Sequence, residues 1–246
     1  MRSAFLLAGL TLMTIGHPAH GHEFIVLPSA STAPSGGTLS ADLTMTETWI
    51  EPDRAPPPEM VTLELVDESS RVSVPLSPTP NSLRASVITP AGPFVLAATM
   101  RRDRIETPRV PKGAPKPEGR MTRSETFSKT YINLTDESSL WSRPLRTRLE
   151  IVPLANPSSL KAGDTLEVKI LFEGQPVSAR VQATFDRKGT QGHGFAVRTE
   201  SGADGTARIA LNQSGRWLIR ARHGVDEARE GYVHYAGGAN LILEIE

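Results

Sequence analysis

From residue 23 onward, apolar side chains recur at every second position in short runs, and no segment repeats them at 3.6 residues with caps. The clearest run sets Leu39, Ala41, Leu43 and Met45 against Ser40, Asp42, Thr44 and Thr46. A period of two sends successive side chains to opposite faces, so each segment has one face to hide and needs a second sheet to hide it against. Similar strands are expected at Glu23–Leu27, Val61–Val66, Val72–Leu76, Ala85–Ile88, Phe94–Met100 and Thr126–Leu134. A second series follows at Leu149–Leu154, Thr165–Phe172, Ala179–Phe185, Gly194–Thr199, Ala207–Leu211, Arg216–His223 and Leu241–Glu246. Among 20 glycines and 20 prolines, the clusters between strands mark turns, such as Ala203-Asp204-Gly205 and Ser214-Gly215. The expectation is an all-β chain of two immunoglobulin-like or transthyretin-like β-sandwich domains, residues 22–147 and 148–246, meeting near 146–148.

The N-terminus reads differently. Met1-Arg2 precedes an apolar run from Ala4 to Ile15, too short for the roughly 20 residues of a membrane span and of the form of a secretory signal peptide. Cleavage after Gly21 places the small residues Ala19 and Gly21 where the peptidase requires them, so the leader is residues 1–21, the mature chain starts at His22, and the protein is periplasmic. With 27 basic and 27 acidic side chains the net charge is zero, which argues against a nucleic-acid partner. The absence of cysteine removes disulfides, thiolate metal sites and cysteine nucleophiles. Residues 101–123 carry eight basic against three acidic side chains and four prolines without apolar alternation, and are expected to be an exposed basic loop. No nucleophile elbow, His-Glu-x-x-His or calcium loop is present, and the glycines of 189–194 lack the Gly-Lys-Ser/Thr of a phosphate loop, so no catalytic residues are expected.

Histidine chemistry points to a metal. A mature N-terminal His22 offers its α-amine and Nδ1 as a chelate, and cleavage after Ala19 would instead expose His20-Gly21-His22, which suits square-planar Cu(II) or Ni(II). Further ligands must converge on that pair. His223 shares the strand face of Trp217, Ile219 and Ala221 and ends it; His234 comes near if 224–231 is a hairpin connection; Glu23 is a candidate oxygen donor. His193, among glycines, reads as a solvated loop residue.

Three stretches carry a family resemblance: the His22-Glu23-Phe24 start, Ser124-Glu125-Thr126-Phe127-Ser128-Lys129-Thr130-Tyr131, and LEIVPLANPSSLKAGDTLEVKILFEGQPV from Leu149 to Val177. The turn at Asp204-Gly205 and the strand Gly215–His223 extend it over most of residues 22–246. The chain resembles the periplasmic domain-of-unknown-function proteins grouped with nickel-uptake and energy-coupling-factor transporter accessory (substrate-specific) proteins. Two departures stand out: Ile25 replaces an aromatic residue, and the proline-rich loop before Ser124 is long. The resemblance implies two β-sandwiches and the handling of a transition metal outside the cytoplasm. On it rests the expectation of a non-enzymatic accessory protein that binds nickel, cobalt or copper through His22, His223, His234 and Glu23 and delivers it to a membrane importer or outer-membrane receptor. Two competing readings are a non-metal module for protein–protein contacts at the envelope and a histidine-brace copper oxidoreductase.

Overall fold

The computed structural model describes residues 22–47, 49–108, 110–186 and 195–246; the expected leader, Arg109 and His193 lie outside them. In chain order the strands are β1 (Glu23–Pro28), β2 (Thr38–Thr46), β3 (Val61–Val66), β4 (Arg71–Ser73), β5 (Ser77–Pro78), β6 (Leu83–Ile88), β7 (Phe94–Glu106), β8 (Arg120–Ile132), β9 (Leu149–Pro153), β10 (Thr165–Phe172), β11 (Gln175–Pro176), β12 (Arg180–Phe185), β13 (Val197–Glu200), β14 (Thr206–Ala210), β15 (Gly215–Arg229) and β16 (Tyr232–Ile245). Helix is confined to short 3-10 turns among the described residues, so the expected all-β class is what the chain adopts.

An eight-stranded sheet in the order β13-β12-β15-β16-β8-β7-β3-β4 carries one small sheet of β1, β2, β6 and β5 and another built on β10 with β9, β11 and β14. Its pairings are antiparallel except β16 with β8, which is parallel. Alternation assigns the faces. On β7, Phe94, Leu96 and Ala98 pack with Phe24, Val26 and Leu43, while Val95 packs in the core of Ile151, Ile170, Trp217 and Ile219. The two small sheets therefore cover opposite faces, called here the β1 face and the β10 face. The β10-face core also takes Val66 and Tyr131 from the first half of the chain.

β1 is buried on both sides. Phe24 and Val26 enter the core with β2 and β6, while Ile25 packs on Leu218 and Ile242 of the large sheet. Its unpaired edge is satisfied by side chains of that sheet: Asn240 donates to the Phe24 carbonyl at 2.7 Å, and the Val26 N–H donates to Ser128 Oγ at 3.0 Å. On the opposite face, Lys129 Nζ lies 2.8 Å from buried Glu150, which also accepts from the backbone N–H groups of Leu145 at 2.8 Å and Arg146 at 3.1 Å. Those extra bonds offset the desolvation of the pair.

The expected basic loop of 101–123 is shorter than its sequence implies. β7 continues to Glu106 and β8 starts at Arg120, leaving 107–119 as the connection. Here the two strands form a ribbon with charges on both faces, so apolar alternation stops while pairing does not. Cross-strand ion pairs hold it, Arg123 to Asp103 at 2.7 Å and Arg101 to Glu125 at 3.7 Å. Similarly, 224–229 belongs to β15 rather than to a connection, and the reversal is made by Glu230 and Gly231 at φ 48° and 85°, the left-handed pair of a tight hairpin turn.

Candidate metal site

Strand register builds the site. Pairing of Glu23 with Thr46 sets residue 22 beside residue 47, and a bridge between Met45 and Arg54 folds the following loop back so that Asp53 returns to the same place. His22 Nε2 lies 3.2 Å from Glu47 Oε1 and 3.2 Å from Asp53 Oδ2. One ligand atom from each of the three falls within 4.8 Å of the others. The imidazole is mostly shielded and the carboxylates are half exposed, so the trio opens to solvent on one side. Trp49 anchors the loop: its ring packs with Ile25, Leu218 and Ile242, and its Nε1 donates to the Arg216 carbonyl at 3.2 Å. Next to it Ile50 has φ 70°, a strained conformation for a β-branched residue.

The other expected ligands do not join His22. Glu23 points from the opposite side of β1 and is bound by the guanidinium groups of Arg220 and Arg222, which leaves its carboxylate engaged. His223 does share the face of Trp217, Ile219 and Ala221, but that is the β10 face. Its ring sits 4.8 Å from the Phe172 ring, and burial pushes its imidazole below the usual histidine range against an opposing contact to the Ser178 backbone. His234 is paired with Asp226, Nδ1 to Oδ1 at 2.5 Å, and Arg120 reaches the same carboxylate at 2.8 Å. His234 first and Arg120 after it hold Asp226 below the usual carboxylate range, despite an opposing contribution from desolvation.

Glu47 and Asp53 were not among the expected ligands. The signal for Glu47 was present: antiparallel pairing of the first two strands places the residue before one opposite the residue after the other. Asp53 depends on the bridge at Arg54, which no periodicity announces. The trio supplies one nitrogen and two oxygens, a donor set suited to borderline divalent ions such as Ni(II), Co(II) or Zn(II). It uses Nε2, the ring nitrogen farther from the main chain, whereas chelation with an α-amine uses Nδ1.

Fold and site define an all-β protein of packed sheets with a histidine–dicarboxylate cluster at a strand end. The chain belongs to the family described as Domain of unknown function (DUF4198), whose model matches residues 19–225. No curated protein matches it. Among solved structures it is similar to a Salmonella alpha-2-macroglobulin mutant, at 13% identity and TM-score 0.27 over 96% of this chain, which spans 16% of that one. Murine CEACAM1b is similar at 9% identity and TM-score 0.23, covering 91% of this chain and 99% of the other. The Yersinia pseudotuberculosis adhesin InvE gives 12% identity and TM-score 0.22 over 94% and 62%.

Proposed function

We propose that this is an exported, non-enzymatic protein that binds a divalent transition metal, nickel, cobalt or copper, and passes it to a membrane uptake system. The observation that carries the reading is the pair of carboxylates 3.2 Å from His22 Nε2. Two carboxylates and one imidazole leave open coordination positions, and an ion held there is accessible to a partner. Affinity at such a site still rises from Co(II) through Ni(II) to Cu(II), so the ion it carries is set by metal availability. Because an α-amine freed by cleavage after Gly21 chelates through Nδ1, the trio binds through the His22 Nε2 and the two carboxylates alone. Because metal and proton compete for the imidazole nitrogen, binding weakens on acidification.

Isothermal titration of Ni(II) into protein purified from the periplasm tests the reading. His22→Ala and the double variant Glu47→Gln, Asp53→Asn are each expected to lose at least tenfold in affinity, as expected when groups around a metal are removed. His223→Ala and His234→Ala are expected to stay within about twofold of native, since neither imidazole joins the trio. Native affinity in the His22 and Glu47/Asp53 variants would remove the site and return the protein to the class of envelope interaction modules. Mass spectrometry of the same sample checks the start at His22.

A further inference from the structure

Beside the trio, the β1 face of the large sheet continues into a cleft whose charge the metal reading does not use. Among the described residues five arginines line it, Arg54, Arg102, Arg104, Arg180 and Arg222, against Glu200 as the one acidic lining residue. The sequence explains how two of them arrive there. Along β7 the β1 face runs Phe94, Leu96, Ala98 and Met100, all in or against the core, and the same alternation then delivers Arg102 and Arg104 beyond the edge of the small sheet.

The floor is built to leave room. Register aligns Gly224, Ala236, Ser124 and Arg102 across four adjacent strands, a row of about 14 Å at the usual strand spacing, whose first three members are small. Ser124 and Thr126 add hydroxyls, while Met45 and Met100 form an apolar wall.

The cations are poorly compensated. Arg104 is paired with Glu106 and Arg222 with Glu23, but Arg54, Arg102 and Arg180 have no carboxylate within 4.0 Å among the described residues. Arg180 stands directly opposite Arg222 across β12 and β15, a like-charge cross-strand pair that Glu200, opposite Arg180 across β12 and β13, and Glu23 at Arg222 offset only in part. Burial first, then repulsion from Arg104 and Arg54, hold the Arg102 guanidinium below its usual range, with Glu106 opposing. The Arg222 guanidinium, pushed down by burial to about 10, remains cationic at neutral pH.

We propose that this cleft binds an organic anion bearing two or more carboxylates, gripped by Arg102, Arg104 and Arg54 at one end and Arg180 and Arg222 at the other. Arginine forks take carboxylates in bidentate fashion, and charges spread over four elements suit several anionic groups on one carbon skeleton better than a single compact anion. The methionines cover that skeleton. This binding stands on its own and requires no metal at His22.

Isothermal titration of metal-free full chain, as exported, with tricarballylate, citrate and inorganic phosphate tests it. The expected result is saturable binding of both tricarboxylates, weakened by added salt, lost by tenfold or more in Arg102→Ala/Arg104→Ala and in Arg54→Ala, and unchanged in Arg208→Ala on another sheet. The double variant Glu47→Gln, Asp53→Asn, at residues that do not line the cleft, should bind tricarballylate within twofold of native, so loss of nickel binding with retained carboxylate binding separates the two sites. The single Arg54 variant, in a loop, carries the test if the double variant melts early. No binding of either tricarboxylate, native affinity in the arginine variants, or phosphate binding as tight as tricarballylate would each overturn the proposal.

Discussion

Arg222 and His223 are neighbours in the chain and both border the arginine cleft, but their side chains meet different partners. Arg222 projects from the β1 face to Glu23 and the cleft; His223 projects from the β10 face, behind Trp217, Ile219 and Ala221, and rests on Phe172. Parity along one strand thus decides which partners a polar residue meets. The same rule splits His22 from Glu23 on β1, where the first joins two loop carboxylates and the second closes a buried ion pair.

The contrast between the two faces can be broken where each holds its buried charge. Lys129→Met, on the β10 face, leaves Glu150 without its cation in a site only 3% exposed, and should cost about 3–5 kcal/mol in urea unfolding. Glu23→Ala, on the β1 face, leaves Arg220 and Arg222 unpaired; their side chains are 19% and 33% exposed and reach water, so roughly 2 kcal/mol is expected by the same measurement. A loss as large as that of Lys129→Met would show that the cleft side is as dry as the core side.

His223 sharpens the comparison through pH. Its folded-state pKa is depressed, so below about pH 6.5 the unfolded chain takes up the proton first. The stability it contributes is therefore fully present above that pH and is lost as pH falls through the folded value. Melting temperature measured from pH 7.5 to 5 should decline in the native protein and decline less in His223→Phe. The smallest effect belongs to Arg208→Ala, whose partner Glu167 is exposed: under about 0.5 kcal/mol, within the range of surface pairs.

Much of the fold was legible because a half-buried strand writes its period into the sequence. Val61–Val66 and Thr165–Phe172 occupy the expected residues, and His223 has the expected phase. What that phase meant was not legible, since alternation says which residues share a face and not which sheet covers it. The paired ribbon of β7 and β8 was hidden for the converse reason: with neither face covered there, Arg101 to Glu106 carry no apolar signal, and the two cleft arginines were absorbed into a loop. His22 stood out by its place after the expected leader. Glu47 and Asp53 looked like ordinary loop acids, because what makes them neighbours of His22 is a register and a single bridge.

The parallel seam between β16 and β8 bears on how the molecule is made. It joins residues more than a hundred apart, His234 to Thr122 through Ile242 to Thr130, in the middle of the largest sheet. Such distant pairing closes slowly, since the entropy of the long intervening segment is lost before any contact rewards it. Until β15 and β16 dock, β8 presents a bare edge to any other chain with an unpaired strand. The interval before that docking is when the chain is most exposed to mispairing and a chaperone has most to protect.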